Sequence, residues 1–397
     1  MTTPGKPTVA FLLWPDTFED WYSPLGVSRD EYLDGYDREW SISLAAALVE
    51  GGIDVHLLHS TLGAPQTAYQ NPSGAKVHFI PAPVGYRALR WVAWGHRWWE
   101  QTQRVWSIAP ITSTLSPRLL GRLISLRPTM VVIQDYETLR YDIAAPVLRA
   151  AGIRVVALDT GASARPSRAW WKHWTRGLAD ELLAVHESEK QRLTNCGHRH
   201  VQVWPVPVRT DVFVPGDRAT ARATLGIAPD ERLVFSATRL HPVKNLPLLA
   251  DACADIGATL VLTGEGSERA QLERRRHGKP TLLGWQSLDE VVRWYAAADV
   301  VALSSNQEGQ PVAVLEAFAC ARGVVATDVG GVAEVVRNGE TGWLVPPRDR
   351  AALAQALDAA LADQETTDKY GLAGRDLVAA RHSAKAVATS FLELAGL

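Results

Sequence analysis

Cysteine, excess charge and long apolar runs are all scarce in this chain of 397 residues. Its three cysteines, Cys196, Cys253 and Cys320, are widely spaced and form no Cys-x-x-Cys pair, which argues against a disulfide framework or a cysteine-based zinc site. We expect all three to be buried thiols in a reducing cytoplasm. The net charge of −2 does not favour nucleic acid as a partner. No uncharged apolar run reaches ~18 residues, so no transmembrane segment is expected.

The second half of the chain alternates short β-branched runs with segments of helical periodicity. From Arg232 onward, "RLVFSAT", "ATLVLTG", "TLLG", "DVVALSS" and "GVVATD" are predicted strands, and a helix-patterned segment follows each of them. Near-continuous apolar strands separated by helices predict a parallel sheet that is covered on both faces.

The first half shows the same alternation less regularly. "TVAFLLW", "IDVHLLH", "KVHFIPA", "TMVVIQD", "IRVVALD" and "ELLAVH" are its predicted strands. The Pro-rich segment 203–217 is the predicted linker, because its prolines exclude both a helix and a central strand. We therefore expect one doubly wound, Rossmann-like domain over residues 1–207 and a second over residues 208–380, followed by a last amphipathic helix within 381–397.

The stretch "QEGQPVAVLEAF" places two carboxylates, Glu308 and Glu316, eight positions apart in an otherwise uncharged run. Pro311 suits the first turn of a helix and Gly323 its end, so Glu308 falls in a strand-to-helix loop and Glu316 well inside an apolar helix. A buried charge is costly unless it is paired, and a carboxylate can accept both hydroxyls of a ribose. The pair therefore either brackets a ligand, or Glu316 serves a structural salt bridge or faces solvent.

A second polar cluster lies in "SATRLHPVKNLPLL". Arg239 closes a strand, Lys244 follows five residues later, and Asn245 suits the N-cap of a helix with Pro247 in its first turn. Two cations beside a helix N-terminus form an anion site that suits a diphosphate, and ligands bind at the carboxyl ends of strands in an open sheet. Taken alone this pattern is weak, since most loop cations are simply solvated.

Two glycine turns, "LTGEGS" and "LLGWQS", face the same predicted edge. Gly264, Gly266 and Gly284 allow a flat base or a phosphate close to the backbone, although ordinary turn formation is the more common reason for a glycine after a strand. The Gly264–Gly266 pair lacks the third glycine of a dinucleotide fingerprint, so NAD is not supported as a cofactor.

Four motifs in sequence order resemble the nucleotide-sugar domain of glycosyltransferase family 4 over about residues 230–395. They are "ATRLHPVKN", "LLGWQSLDEVVRWYAAADV", "SSNQEGQPVAVLEAFACARGVVATDVGGVAEVV" and "NGETGWLVPPRD". The resemblance implies an α/β chain of two doubly wound Rossmann-like domains facing a cleft, which is the GT-B fold. It implies that residues 1–207 bind the acceptor and that residues 208–380 bind the nucleotide-sugar. It also implies retaining transfer from a nucleotide-sugar, and a last helix that crosses back to the N-terminal domain.

The same resemblance implies roles for individual residues. Glu308 would hold donor-sugar hydroxyls, Glu316 the ribose, and Arg239 with Lys244 the diphosphate. The sugar, phosphate and base would be contacted by the segment Gly309, Gln310, Pro311 and Val312 and by Gly284 with Trp285. Fixed cations and helix N–H groups would stabilise the charge that grows on the leaving diphosphate. No Asp-x-Asp motif is present, so we expect no metal, and no cofactor beyond a UDP-, GDP- or dTDP-sugar as co-substrate.

The N-terminal half departs from the family pattern. Members commonly carry paired glycines after the first strand, whereas "YLDGYDREW" keeps only Gly35, which would let the backbone approach the phosphate. Many members also place a His after a later strand, where "VVALDTGASARP" offers Asp159 instead, so a sugar contact by Asp159 stays open. Gln310 stands where an aromatic residue is frequent.

Tryptophan is the one unusually frequent residue, with 15 copies. Trp91, Trp94 and Trp98 recur at helical spacing, and a second group comprises Trp170, Trp171 and Trp174. Residues 71–180 hold 15 Lys and Arg against 6 Asp and Glu. The tryptophans either pack in the core, wall a pocket for a small-molecule acceptor, or meet an anionic or lipid-linked acceptor by peripheral membrane contact. We favour the pocket over the membrane, because adjacent tryptophans point to both sides of their helices.

These patterns predict a cytoplasmic, metal-independent, retaining GT-B glycosyltransferase of the hexosyltransferase type. It would move a sugar to a hydroxyl of a small-molecule acceptor, with an Arg-rich composition hinting at specialised metabolism. The alternatives are a transferase acting on a lipid-linked or membrane-surface acceptor, a GT-B nucleotide-sugar epimerase, and a catalytically silent sugar-nucleotide sensor. The base, the sugar, the acceptor and the oligomeric state stay open.

Overall fold

The computed structural model describes residues 6–23, 27–34, 40–71, 73–86, 116–134, 136–159 and 172–396. The chain divides into two compact units. Unit 1 comprises Met1–Val185, Glu189–Trp204 and Ala388–Leu397, and unit 2 comprises His186–Ser188 and Pro205–Val387. Each unit is built on its own sheet.

Eight described strands form the sheet of unit 1 in the order β3-β4-β2-β1-β5-β6-β7-β8. They are β1 Thr8–Thr17, β2 Asp54–Thr61, β3 Gln66–Gln70, β4 Lys76–Pro81, β5 Met130–Gln134, β6 Arg154–Asp159, β7 Glu181–Ala184 and β8 Val201–Val203. The described pairings are parallel except that of the edge strand β3, which runs antiparallel to β4. The strands alternate their side chains between the two faces, and Ala10, Val131 and Val155 lie in one buried cluster.

Seven described helices belong to this half of the chain. They are α1 Phe18–Tyr22, α2 Arg29–Asp34, α3 Trp40–Glu50, α4 Pro117–Ser125, α5 Leu139–Ala150, α6 Lys172–Thr175 and α7 Glu187–Asn195, and a 3₁₀ turn spans Arg176–Leu178. Helix α5 buries Ala144, Ala145 and Leu148 in the same cluster as the β5 and β6 side chains. Because α5 connects β5 to the parallel strand β6, this is the β-α-β unit that the sequence pattern predicts.

Six described strands form a fully parallel sheet in unit 2, in the order β11-β10-β9-β12-β13-β14. They are β9 Leu233–Ala237, β10 Thr259–Thr263, β11 Thr281–Gly284, β12 Val300–Leu303, β13 Val324–Thr327 and β14 Gly342–Val345. Phe235 and Val301 enter one buried cluster, while their neighbours Val234 and Val300 enter another. The sheet is therefore covered on both faces, as near-continuous apolar strands require.

Nine described helices complete this half. They are α8 Arg218–Leu225, α9 Leu246–Asp255, α10 Arg269–Glu273, α11 Leu288–Ala297, α12 Val312–Ala319, α13 Val332–Val335, α14 Arg350–Ala362, α15 Gln364–Arg381 and α16 Ala384–Ala395, and a 3₁₀ turn spans Pro242–Lys244. Local signals set several boundaries. Ser287 and Glu290 form a reciprocal capping box at the start of α11, and Gly226 ends α8 with a left-handed conformation.

The last helix, α16, begins in unit 2 and ends in unit 1. Its Phe391 packs at 5.5 Å from the ring of Trp204 and at 6.3 Å from that of Phe11 in β1. Apart from the short segment His186–Ser188, the chain leaves unit 1 after Trp204 and returns to it at Ala388. The boundaries predicted from the sequence fall after residues 207 and 380.

The prediction of two doubly wound α/β domains is confirmed, but the pattern missed three strands. The missed strands are β3, which is mostly polar, β8, which has only three residues, and β14, which is a short edge strand. The expectation that all three cysteines are buried is wrong for Cys196, which is half-buried directly after the last residue of α7. Of the helices that the structure describes, none combines the length and the apolar character that crossing a bilayer needs.

Candidate functional site

The polar residues predicted from sequence gather at the carboxyl edge of the unit 2 sheet. Arg239 and Lys244 follow β9, and Glu308 follows β12, its neighbour in the sheet. Parallel neighbours end at the same edge, so these loops meet. The Nζ of Lys244 donates a hydrogen bond to Glu308 Oε1 and forms an ion pair with it. Both side chains are largely shielded from solvent, with 14% and 8% exposed.

Glu308 is held in place by two further groups. The Ser305 hydroxyl donates to the same Oε1 at 2.8 Å, and the Thr327 hydroxyl at the end of β13 donates to the Ser305 carbonyl at 2.7 Å. Gly330 has a φ of +55°, and a Cβ there would lie 1.8 Å from the Glu308 carbonyl oxygen. The loop of Glu308 thus packs so tightly on Gly330 that only glycine fits.

The loop of Lys244 is also fixed by backbone contacts. The Ser304 hydroxyl donates to the Lys244 carbonyl at 2.9 Å, and the Asn306 N–H donates to the Val243 carbonyl at 2.7 Å. Asn245 occupies the predicted N-cap position of α9, but the prediction that its side chain caps the helix is wrong. Its φ of +50° is the left-handed conformation that asparagine tolerates, which ends the 3₁₀ turn instead.

Arg239 presents an exposed side chain two residues beyond β9. The turn that carries it is gripped by the glycines after β10. A Cβ on Gly264 would lie 2.1 Å from the Thr238 carbonyl oxygen, and one on Gly266 2.3 Å from that of Leu240. The sequence left two explanations open for Gly264 and Gly266, close approach of a ligand and ordinary turn formation. The structure gives both glycines a role in the turn, because each lets its own turn pack closely on the turn that carries Arg239.

Glu316 is half-buried in α12, whose N-cap position is taken by Pro311. Its Oε2 accepts a 2.9 Å hydrogen bond from the hydroxyl of Tyr295 in α11. Burial raises the pKa of Glu316 to about 7, and the Tyr295 hydrogen bond opposes that rise by favouring the charged form. The sequence analysis offered two structural roles for Glu316, a salt bridge and exposure to solvent. Among the described contacts this carboxylate forms no salt bridge, and its partner is the hydroxyl of Tyr295.

The remaining predicted residues of unit 2 lie along the same edge. The segment 309–312 connects Glu308 to α12, with Gln310 half-buried, Pro311 buried and the Val312 side chain 37% exposed. Gly284 ends β11 with a φ of +73°, and a Cβ there would lie 2.9 Å from Glu265 Oε1. Trp285, beside it, has 48% of its surface exposed. Their assigned roles toward a ligand stay predictions.

The predicted residues of unit 1 have different outcomes. Gly35 and five of the six singled-out tryptophans (91, 94, 98, 170 and 171) lie outside the described residues, whereas Trp174 is 76% exposed. Asp159 is buried at the end of β6, where it accepts a 3.1 Å hydrogen bond from Arg192. Asp159 shares this arginine with Glu137 and Glu189, so one guanidinium pairs with three carboxylates.

Sequence reasoning assigned no role to Ser305, Gly330 or Tyr295. Ser305 and Gly330 follow strands at the predicted ligand edge, and that placement is a signal that could have selected them. Tyr295 gave a weaker signal: a hydroxyl on an apolar helix face needs a partner when it is buried.

The arrangement offers an anion and polyol site. An exposed guanidinium and a shielded ammonium lie on the one loop after β9, and the eight-residue helix α12 starts nearby with its partial positive end. Two carboxylates flank that helix start, one paired with a lysine and one with a neutral hydroxyl. Such a site can hold a phosphorylated ligand and accept hydrogen bonds from its hydroxyl groups.

Comparison with known proteins agrees with this chemistry. Residues 231–363 match the family described as Glycosyl transferases group 1, which confirms the resemblance predicted from the motifs. A D-inositol 3-phosphate glycosyltransferase of Mycobacterium sp. (strain KMS) is 34% identical over 226 residues, which cover 53% of this chain and 52% of that protein. The chain thus matches about half the length of its curated relatives.

Two solved structures match nearly the whole fold. Anabaena HepE in complex with UDP superposes with a TM-score of 0.71 at 16% identity, over 98% of this chain and 100% of that one. The E. coli trehalose-6-phosphate structure bound with UDP-2-fluoro glucose superposes with a TM-score of 0.73 at 14% identity, over 99% of both chains. At these identities the likeness shows a common fold.

Proposed function

We propose that this chain, which has the GT-B fold and matches the group 1 glycosyltransferases over residues 231–363, transfers a sugar from a nucleoside-diphosphate-sugar to a hydroxyl of a small molecule with retention of configuration. The donor would bind at the carboxyl edge of the unit 2 sheet. The acceptor would be a small polyhydroxylated molecule, a class to which the inositol phosphate named for the 34% identical relative belongs.

One observation carries the proposal: Lys244 and Glu308, 64 positions apart in sequence, form a shielded ion pair at the strand ends. A lysine that served only to balance Glu308 would need no second cation, yet Arg239 stands exposed on the same loop. A donor diphosphate would accept hydrogen bonds from both cations. Glu308, once released from Lys244, could then accept hydrogen bonds from the hydroxyls of the donor sugar.

The chemical demand of this reaction is to stabilise the leaving group. As the bond from the sugar to the diphosphate breaks, negative charge grows on the phosphate oxygens, and fixed cations lower the energy of that state more than that of the bound donor. Arg239, Lys244 and the N-terminus of α12 would supply this stabilisation without a metal ion. In a retaining front-face reaction the leaving phosphate would take the proton of the acceptor hydroxyl, so the protein need not provide a base.

Uridine diphosphate is the first donor nucleotide to test, because HepE and the E. coli trehalose-6-phosphate structure, which share the fold, are described with UDP and with a UDP-sugar. GDP- and dTDP-sugars remain part of the panel. The reducing compartment that three unpaired cysteines favour stays a prediction, as does peripheral membrane contact.

The test is a ligand panel followed by an assay of turnover. Thermal unfolding with UDP, GDP or dTDP, each beside its monophosphate, should show a rise in Tm for one diphosphate, since a ligand that binds the folded state stabilises it according to its Kd. The matching diphosphate-sugar is then incubated with inositol, inositol phosphate and sugar acceptors, with and without EDTA. We expect a glycoside of unchanged anomeric configuration by NMR, formed equally well in EDTA.

Other outcomes separate the alternatives. Isomerised donor without any acceptor would indicate an epimerase. Tight donor binding with no turnover would indicate a sensor. Transfer only to a lipid-linked acceptor would overturn the small-molecule assignment. If no diphosphate raises Tm and no sugar is transferred, the proposed function is wrong.

A further inference from the structure

Tyr295 is buried beneath Glu316, and its hydroxyl faces two acceptors. It lies 2.9 Å from Glu316 Oε2 and 3.1 Å from the Ala313 carbonyl oxygen. A tyrosine hydroxyl has a single proton to donate but can also accept. When Glu316 is charged, Tyr295 can donate to its carboxylate. When Glu316 is protonated, its own O–H can donate to Tyr295, which then donates to Ala313.

The position of this hydroxyl is fixed by the packing of the ring. Tyr295 has 0% of its surface exposed and lies edge-on to two phenylalanines. The ring centroid of Phe235 in β9 is 5.1 Å away at 89°, and that of Phe213 is 5.9 Å away at 78°. Edge-to-face pairs of this kind are favourable and hold the ring in one orientation. The hydroxyl therefore fixes one oxygen of Glu316 with little freedom of its own.

The other oxygen of Glu316 is left available. Among the described residues, the hydrogen bonds to this carboxylate reach Oε2, and Oε1 accepts none. The side chain is half-buried, and Oε1 is not among the fully buried polar atoms that lack a partner, so a ligand can reach it from solvent. An anchored carboxylate with one open oxygen is a preorganised acceptor, which loses less entropy on binding than a mobile one.

We propose that Tyr295 is the positioning residue that lets Glu316 accept the ribose hydroxyls of the donor nucleotide, and so sets the preference for ribonucleotides over deoxyribonucleotides. This inference rests on the proposed function and names a specificity determinant within its site. Tyr295 itself does not touch the nucleotide; it acts through Glu316.

Tyr295 also favours the charged, accepting form of Glu316. Burial raises the pKa of Glu316 to about 7, and the hydroxyl hydrogen bond acts against that rise. The other titratable group near Glu316 is the Cys320 thiol, one turn along α12, whose pKa burial raises to about 12, and beyond it lie the guanidinium groups of Arg322 and Arg375. Without the Tyr295 hydroxyl, Glu316 would be protonated up to a higher pH, and a protonated carboxyl accepts ribose hydroxyls less well.

The experiment compares UDP with 2′,3′-dideoxy-UDP by calorimetry from pH 6 to pH 9. We expect the wild-type protein to bind UDP at least tenfold more tightly than the dideoxy ligand above pH 7.5, with a ratio that falls below pH 7. In Tyr295→Phe the ratio of the two affinities should fall to threefold or less at pH 7. It should rise again in part at pH 9, because Glu316 is then deprotonated without the help of the hydroxyl. Glu316→Gln should reduce the ratio to about one at every pH.

Tyr370→Phe is the matched control, because it removes a hydroxyl from the same unit on a ring that packs against Trp343. It should leave the ratio unchanged. A Tyr295→Phe ratio equal to that of the wild type at every pH overturns the inference and leaves the proposed function intact. If Tyr295→Phe fails to fold, the wild-type profile still decides: a ratio that does not change between pH 6 and pH 9 overturns the inference. A protein that binds neither ligand contradicts the proposed function itself.

Discussion

Replacing Lys244 with alanine should weaken diphosphate binding more than replacing Arg239 with alanine. The two cations differ in their partners within the protein. Lys244 already neutralises Glu308, whereas Arg239 makes no ion pair with the described residues. Lys244→Ala therefore removes a cation, and it also leaves the charge of the shielded Glu308 carboxylate to repel the diphosphate, because no ammonium then stands near both groups. Arg239→Ala only removes a cation.

The magnitudes follow from these two effects. A hydrogen bond from a charged donor contributes ~2 kcal/mol, which is about 30-fold in Kd. An unpaired carboxylate ~10 Å from the diphosphate repels it by ~1.7 kcal/mol at an effective dielectric constant of 20, which screening reduces to ~1 kcal/mol, or about fivefold. We expect a loss of about 30-fold for Arg239→Ala and about 150-fold for Lys244→Ala. The double variant Lys244→Ala/Glu308→Gln should recover about fivefold over the single variant.

Isothermal titration calorimetry with UDP and with uridine measures both effects. Uridine lacks the phosphates, so its Kd should change by less than about twofold in all three variants. Ser305→Ala is the control, because it removes a hydrogen bond to Glu308 but keeps both the carboxylate and its lysine partner. It should leave the Kd for UDP near that of the wild type. The reasoning is refuted if the double variant binds UDP as weakly as Lys244→Ala, or if uridine binding falls in parallel.

Three further predictions follow. Glu308→Gln should lower the rate of sugar transfer at least tenfold while UDP binds equally or more tightly, because the carboxylate that competes with the diphosphate for Lys244 is gone. If stopped assays of transfer and calorimetry of UDP binding show parallel losses, Glu308 has another role. Gly330→Ala should lower activity more than tenfold because its Cβ meets the Glu308 carbonyl, whereas Gly339→Ala, with a similar φ of +77° and nothing within 4 Å, should not; equal activities of the two would contradict this. Burial holds the pKa of His59 at about 3 and of His198 at about 4, below the usual 6.5, so the unfolded chain takes up protons that the folded one does not. The stability of unit 1 should therefore fall as the pH drops from about 6.5 to about 4, by at most about 1.4 kcal/mol per pH unit for each histidine, and a scanning-calorimetry Tm that is constant over this range would contradict it.

The sequence predicted the donor edge well because parallel strands bring their carboxyl ends together. Arg239, Lys244 and Glu308 lie in the loops that follow two β-branched runs, and neighbouring runs in a parallel sheet place such loops at the same edge. The four separated motifs added the order of the elements. Both signals are local to the chain, and neither needs knowledge of how side chains pack.

The features that escaped prediction depend on contacts between distant segments. Tyr295 is 21 positions from Glu316, and nothing in its helix indicates which carboxylate its hydroxyl meets. Gly330 gains its importance from the Glu308 carbonyl, 22 positions away. The strands β3 and β8 are short and partly polar, so tertiary pairing rather than periodicity makes them strands.

The most direct measurement is a crystal structure of the protein with UDP bound. The account predicts that phosphate oxygens lie within hydrogen-bonding distance of Arg239 and Lys244, that the ribose hydroxyls face Glu316 Oε1, and that Lys244 has turned from Glu308 toward the diphosphate. A UDP bound elsewhere, or a diphosphate beyond the reach of both cations while Lys244 stays paired with Glu308, would contradict it.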